Sequence, residues 1–120
     1  MRSAWLTHKG HKYFYCNYSY LTVAVLESEM REVDEYIGGQ PENSVVILTD
    51  VRGLVGTPQV FNMFRQSTIH TKKYICRSAV LGIGFSGPKK VLFDLVMRIS
   101  GQNVVVFDDE EAAKDWLVAG

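Results

Sequence analysis

The chain has 120 residues, the size of one domain, and it should bury roughly 65% of the surface that its unfolded form exposes. Apolar residues make up 47% of the chain and charged residues 22%, proportions that are typical of a globular protein and exclude a disordered or fibrous one. Thirteen basic and thirteen acidic side chains cancel, and this balance disfavours a nucleic-acid or anionic-membrane partner.

Residues 1–120 are therefore predicted to form a single domain. The longest apolar stretch, Ala79 to Phe85, is far shorter than the roughly 20 residues of a membrane helix. The amino terminus lacks the apolar core of a signal peptide, which favours a cytoplasmic protein. Cys16 and Cys76 are expected to be free thiols, because they are far apart and form no Cys-x-x-Cys pair. No metal site and no cofactor are predicted.

The first third of the chain predicts a hairpin and a helix. Ala4–Thr7 and Tyr13–Tyr18 are expected to be antiparallel strands joined by a tight turn, with Gly10 at positive φ. Apolar residues then recur every three or four positions between Leu21 and Ile37, which predicts an amphipathic helix. The acidic residues of this segment are expected to face solvent: Glu27, Glu29, Glu32, Asp34 and Glu35. Gly38-Gly39 is expected to end the helix in the left-handed conformation.

Four consecutive apolar residues within Ser44–Asp50 predict a central strand that is covered on both faces. Thr57-Pro58 predicts the start of a second helix, with the hydroxyl of Thr57 as N-cap and proline in the first helical position. This helix should run to about His70. Its broad apolar sector is expected to be buried against the sheet and a neighbouring helix, the alternative being exposure for self-association or for a partner.

The remaining segments continue the alternation of strands and helices. Ser78–Phe85 is predicted to be a buried strand, and a third helix should begin at Ser86-Gly87-Pro88 and end at Ser100-Gly101. Val104–Phe107 predicts the last strand, and Asp108 with Glu111 predicts the capped start of a fourth helix. The order β-β-α-β-α-β-α-β-α predicts an α/β fold with a mixed five-stranded sheet flanked by four helices.

Two motifs and this element order resemble a known family over nearly the whole chain. The motifs are Ser86-Gly87-Pro88-Lys89-Lys90-Val91-Leu92-Phe93-Asp94 and Val106-Phe107-Asp108-Asp109-Glu110-Glu111-Ala112-Ala113. The chain resembles the STAS fold of anti-sigma factor antagonists and sulphate-transporter tails. It is more closely similar to a group of small bacterial proteins with a STAS-like or Sec14-like domain, in which an aspartate ends the central strand.

The resemblance implies a regulatory function that is not enzymatic. In anti-sigma factor antagonists, a partner kinase phosphorylates a serine at the start of the helix after the central strand, within an Asp-Ser-Ser-Gly-Leu-like turn. This sequence has Val55-Gly56-Thr57-Pro58 there and lacks the Asp-Ser-Ser-Gly pattern. The resemblance thus makes Thr57 the possible phospho-acceptor, whereas the residue type alone predicts a helix cap.

A candidate site is predicted at the carboxyl ends of the parallel strands, where ligands and partners of open α/β sheets bind. Arg52 would recognise an anion or acidic partner, and Ser86 with Gly87 would offer hydroxyl and amide donors close to Lys89. The glycines of this region do not complete a phosphate-binding loop, because Pro88 and Lys89 follow the last one. The expected site residues are Asp50, Arg52, Gly56, Thr57, Gly84, Ser86, Gly87 and Lys89.

Two functions remain open from the sequence. The first is a non-enzymatic interaction or regulatory module that binds a protein partner, such as a kinase-like regulator, or a small anion. The second is a carrier for a lipid or other apolar ligand, which the Sec14-like similarity and the apolar Phe61, Met63 and Phe64 suggest. An apolar cavity between the second helix and the sheet would favour the carrier, and a filled core would favour the interaction module. No local spacing assembles a nucleophile, a base and an orienting acid, so no enzyme is predicted.

Overall fold

The computed structural model describes residues 1–83, 90–91, 93–94 and 104–119. They form an α/β structure around one five-stranded sheet. The strands are β1 (Ala4–His8), β2 (His11–Asn17), β3 (Val45–Asp50), β4 (Ile75–Leu81) and β5 (Val104–Phe107). Three α-helices have their bounds within these residues: α1 (Val23–Ile37), α2 (Pro58–Thr71) and α3 (Glu110–Val118).

The sheet has the order β1-β2-β3-β4-β5, so β3 is its central strand as predicted. β1 pairs antiparallel with β2, and the other three pairings are parallel, which confirms the mixed sheet. The two-residue turn between β1 and β2 has Lys9 at φ 51° and Gly10 at φ 82°. Turns with positive φ at both positions match the right-handed twist of the two strands that they join. These values confirm the expected tight turn.

Each face of the sheet has its own apolar core, because successive side chains of a strand point to opposite faces. On the first face, Phe14, Ile47 and Val80 pack against buried residues of α1 and α2. On the second face, Tyr13, Leu48 and Leu81 pack against Ala113 and Leu117 of α3. The central strand is therefore covered on both sides, which explains its uninterrupted run of apolar residues.

The helix starts follow local sequence closely. The Thr57 hydroxyl accepts a hydrogen bond from the Val60 amide at 3.2 Å, and Pro58 opens α2, both as predicted. The start of α3 was placed one residue too early, because Asp109 rather than Asp108 accepts from the Ala112 amide at 2.9 Å. Asp109 holds the extended conformation of an N-cap, and the first turn behind it carries Glu110 and Glu111.

The end of α1 differs from the prediction of a left-handed glycine stop. Gly38 has φ −63° and continues the right-handed helix, with its amide donating to the carbonyl of Asp34. The chain then leaves through i→i−3 hydrogen bonds, from Gly39 to Tyr36 and from Gln40 to Ile37. A tightened last turn satisfies the carbonyls at the end of the helix, so no left-handed residue is needed there.

The expectation that the acidic residues of α1 all face solvent is wrong for Glu29, which is only 6% exposed. Its carboxylate accepts from the Ser3 hydroxyl at 2.7 Å and from the amides of Arg2 and Ser3 at 2.8 to 3.1 Å. Although burial by itself raises a carboxyl pKa, these hydrogen bonds lower the pKa of Glu29 below its ordinary value. Glu29 thus ties the start of β1 to α1.

The bounds of several strands differ from the prediction, and those of β4 differ most. β4 begins at Ile75, three residues before the expected Ser78, and ends at Leu81 rather than Phe85. The predicted third helix, 86–100, lies mostly outside the described residues, although Lys90, Val91, Phe93 and Asp94 are helical. Phe93 joins the core of the first face, beside α1 and α2. The number of helices with described bounds is consequently three instead of four.

Candidate functional site

Asp50 ends the central strand and holds the loop that follows it. Its side chain is completely buried, with 0% exposure. The carboxylate accepts from the Tyr15 hydroxyl at 2.7 Å and from the Arg52 amide at 3.0 Å. The Arg52 guanidinium adds contacts from Nε at 3.0 and 3.2 Å and from Nη2 at 2.7 Å. Five contacts on one carboxylate make this the most densely bonded side chain at the carboxyl edge of the described sheet.

These contacts shift the titration of all three groups. Burial by itself raises the pKa of Asp50, but the hydrogen bonds from Arg52 and Tyr15 outweigh it and lower that pKa below its ordinary value. The same bonds raise the pKa of Arg52 further above its already high value. Burial, with the hydrogen bond to Asp50 second, raises the pKa of Tyr15 to about 12. Asp50 is therefore a stable anion and Tyr15 a stable neutral donor at neutral pH.

Arg52 connects this cluster to α3, because its Nη2 also lies 3.2 Å from Glu110 Oε1. The guanidinium is thus shared between two carboxylates, one buried and one exposed at the start of α3. Its Nε and Nη2 atoms are committed to these carboxylates, so an incoming anion would have to share the guanidinium with them. The expected role of Arg52 in recognising an anion consequently competes with contacts that hold the β3–α2 loop.

Two close backbone approaches constrain the same loop. Gly82 has φ 99°, and a Cβ placed there would lie 2.6 Å from Arg52 Cγ and 2.8 Å from the Arg52 amide nitrogen. Gly53 has φ 71°, and a Cβ there would meet the Tyr20 ring at 2.1 Å. Hydrogen bonds from the Tyr18 amide to the Asp50 carbonyl and from the Tyr20 amide to the Arg52 carbonyl extend the β2–β3 pairing into the loop. The loop is therefore fixed by backbone as well as by charge.

The other expected site residues are placed as follows. Thr57 caps α2 with its hydroxyl, and Gly56 lines a cavity beneath that helix. Asp50 and Arg52 lie together on the second face of the sheet, with Glu110. Gly84, Ser86, Gly87 and Lys89 lie outside the described residues, so the structure does not test their expected role.

A partly open cavity of about 90 Å³ lies on the first face, between α2 and the sheet. Its roof is formed by α2, including Val60, Phe61 and Phe64, and its floor by β3 and β4, including Ile47 and Val80. The β3–α2 loop closes one end with Val51, Leu54, Val55 and Gly56. The loop that Asp50 and Arg52 fix is therefore also a wall of this cavity.

Small side chains on the floor explain the empty space. Register aligns Cys16 with Thr49 and Val80 in one row across the sheet, and Phe14 with Ile47 and Ser78 in the next. Cys16, Thr49 and Ser78 all line the cavity, where leucine or isoleucine would fill more volume. Burial raises the pKa of the Cys16 thiol to about 12, so the floor carries no thiolate at neutral pH. Polar but uncharged groups thus interrupt an apolar lining.

Among the described residues that line this cavity, Asp34 is the only one with a charged side chain. Its Oδ1 accepts from the Ser67 hydroxyl of α2 at 2.6 Å, so the pair bridges α1 and α2. Partial burial raises the pKa of the Asp34 carboxyl above its ordinary value. The periodicity of α1 predicts Asp34 on the solvent-facing side of the helix, whereas the residue is only partly exposed. Its position next to Val33, at the border of the apolar stripe, was the one sign that it could turn inward.

A second cluster that sequence analysis missed joins the β1–β2 hairpin to α3. His8 Nε2 lies 2.7 Å from Asp115 Oδ1, and Lys9 Nζ lies 2.8 Å from the same oxygen. Hydrogen bonds from His8 and Lys9 lower the pKa of Asp115. Glu111 is the third member of this group, within 4.8 Å of His8 and Asp115. Because Lys9 already occupies Asp115, the cluster acts as an ion-pair contact between hairpin and helix.

Among the described residues, no helix has the length and apolar character needed to cross a bilayer. Comparison of the chain with protein-family models, with curated proteins and with solved structures found no match.

Proposed function

We propose that this protein binds a small apolar molecule in the cavity between α2 and the sheet. The observation that carries the proposal is the cavity itself, about 90 Å³ with an apolar roof and a floor of small side chains. Tight packing is the rule in protein interiors, and voids larger than a water molecule are few. An unfilled apolar cavity costs stability, which a ligand that fits it would restore.

The volume limits the size of the ligand. An engineered apolar cavity of about 150 Å³ binds benzene, so in proportion the 90 Å³ cavity of this protein suits an apolar group of roughly four non-hydrogen atoms, such as a butyl chain. Pockets for drug-sized ligands are about 300–1,000 Å³. A long lipid chain is therefore a poor fit, and the apolar ligand of the carrier hypothesis becomes a small one.

Binding of 1-butanol, followed by amide chemical shifts in NMR, tests this proposal. The expected result is saturable shifts confined to residues around the cavity. Ser78→Ile fills the cavity from the floor and Val60→Phe fills it from the roof, so both variants should lose binding. Val25→Phe changes an exposed residue of α1 by the same volume and should bind as the original protein does. Equal binding by the floor and roof variants would contradict the proposal.

A second candidate function, a protein-interaction module, is favoured by exposed apolar side chains at the carboxyl edge. Tyr20 is 76% exposed and Val55 is 69% exposed, and the Tyr20 ring lies against Gly53 of the β3–α2 loop. The two residues thus belong to adjoining loops, after β2 and β3. A regulator that binds this edge would contact the same loop that closes the cavity.

The family resemblance implies that Thr57 is the possible phospho-acceptor of such a module. A phosphoryl group there would add about −2 charge at the N-terminus of α2, where the helix dipole favours it. Affinity purification of the tagged protein should then recover a kinase-like regulator, and Val55→Ser should reduce that recovery. Leu6→Ser, an exposed apolar residue of β1, serves as the matched control. Recovery that is unchanged in Val55→Ser would contradict this second candidate. Both candidates describe binding without a chemical step.

A further inference from the structure

Asp34 gives the cavity a charged wall. It lies on α1 between Val33 and Ile37, which belong to the core of the first face. The carboxylate lines the cavity from the side, while the roof and floor are formed by α2 and the strands. It also lines an open groove between α1 and α2, together with Met30, Met63, Ser67 and His70. The Asp34–Ser67 hydrogen bond therefore lies between the cavity and the surface.

Among the described residues, the charge of Asp34 has little compensation. Within the described residues, neither a lysine nor an arginine forms an ion pair with it. Within the part of the chain that the structure describes, Ser67 donates one hydrogen bond to it, and His70 contributes an electrostatic attraction that lowers the pKa of Asp34. The contrast with Asp50 is direct, since Asp50 receives a tyrosine hydroxyl and a full guanidinium contact. A partly buried carboxylate without a cation loses hydration and gains little in return.

We propose that the ligand of this cavity is a small amine, whose apolar body fills the cavity and whose ammonium group pairs with Asp34. This inference rests on the proposed function, because it names the chemical class of the ligand for the same cavity. An ammonium supplies a positive charge that the described lysines and arginines do not bring to Asp34, and it donates up to three hydrogen bonds. Its attraction to Asp34 is stronger at this half-buried position than in water, because solvent screens it less.

The position of the charge also selects against other small molecules. A carboxylic acid of the same size would place a second negative charge beside Asp34 and should be repelled. An alcohol of the same size can enter the cavity and donate one hydrogen bond, but it gains no ion pair. The order of affinity is therefore amine above alcohol above carboxylate. Ser67 would retain its bond to one carboxylate oxygen while the ammonium binds the other.

The experiment measures binding of n-butylamine, 1-butanol and butyrate at about pH 7, by NMR titration at constant ionic strength. Alkylamines are protonated at this pH, like the lysine side chain. We expect n-butylamine to bind at least tenfold more tightly than 1-butanol, and butyrate to bind more weakly than both. Asp34→Asn keeps the shape and the hydrogen bond from Ser67 but removes the charge. It should lower amine affinity to that of the alcohol and leave alcohol affinity within twofold.

Glu35→Gln is the matched control, because Glu35 is the exposed neighbour of Asp34 on α1 and does not line the cavity. It should leave all three affinities unchanged. If 1-butanol binds at the cavity as tightly as n-butylamine, or if Asp34→Asn keeps the amine preference, the inference is wrong while the apolar cavity function stands. If none of the three compounds binds at the cavity, the amine inference and the proposed cavity function are both wrong.

Discussion

Replacing Asp50 with asparagine tests the cluster that fixes the β3–α2 loop. The substitution keeps the size of the side chain and turns one acceptor oxygen into an NH₂ donor. That donor would face the Tyr15 hydroxyl and the Arg52 guanidinium, which are themselves donors at 2.7 to 3.2 Å. At least one of the donors around position 50 would then lose its acceptor, next to a side chain that has no exposed surface.

The magnitude follows from the burial of the two partners. Breaking a fully buried ion pair costs about 3–5 kcal/mol. Arg52 is 43% exposed and can regain contact with water, whereas the residue at position 50 cannot. A hydrogen bond to a charged group contributes about 1.5–3 kcal/mol, so we expect a loss of about 2–3 kcal/mol. For a chain of this length, each kcal/mol lowers Tm by about 4 °C, which gives a fall of about 8–12 °C.

Urea unfolding followed by circular dichroism, together with a thermal scan, measures this loss. Glu27→Gln makes the same chemical change in an exposed pair with Arg31 and should change stability by less than about 0.5 kcal/mol. A loss below about 1 kcal/mol for Asp50→Asn would refute the reasoning, because it would mean that the buried carboxylate is not needed to satisfy its donors.

Three further predictions concern pH, backbone and charge. Folding lowers the pKa of Asp50, so the stabilisation by this carboxylate is complete above about pH 4 and is lost as pH falls through the folded-state pKa. The free energies of unfolding of the original protein and Asp50→Asn, measured in urea, should therefore converge in acid. Gly82→Ala should cost more than about 2 kcal/mol in urea unfolding, against about 1 kcal/mol for Gly10→Ala, because only Gly82 has backbone within 3 Å of the added Cβ. Folding raises the pKa of Asp34, so its stabilisation is present below about pH 4 and lost as pH rises, and Asp34→Asn should raise Tm at neutral pH but not in acid. The first prediction would be contradicted if the unfolding curves of the original protein and Asp50→Asn did not converge in acid. Equal losses of stability for Gly82→Ala and Gly10→Ala would contradict the second, and a lower Tm for Asp34→Asn at neutral pH would contradict the third.

Local chemistry made much of the fold predictable. Thr57-Pro58 specifies a helix start with neighbouring residues alone, and the turn at Lys9-Gly10 does the same for the hairpin. The apolar run of β3 requires two covered faces, which the structure provides through α1 and α2 on one side and α3 on the other. These features depend on contacts between residues that are close in sequence or on a strict periodicity.

Contacts between distant residues were not predictable in the same way. Glu29 and Asp34 both belong to the polar side of α1 by periodicity, yet one binds the start of β1 and the other lines a cavity beneath α2. Asp50 was recognised as the end of the central strand, but its contact with Tyr15 depends on how β2 and β3 align. The cavity depends on which small side chains fall in adjacent rows of the sheet, which is set by register.

Xenon binding tests the central claim most directly, because xenon enters apolar cavities of this kind without relying on charge or hydrogen bonds. Methyl groups of Val60 and Ile47 should shift in NMR spectra as xenon pressure rises, since both line the cavity. Leu117, which is buried in the core of the second face, should not shift and provides the internal control. Saturable shifts confined to the first face would support a ligand cavity beneath α2. Shifts absent from Val60 and Ile47, or equal on both faces, would contradict it.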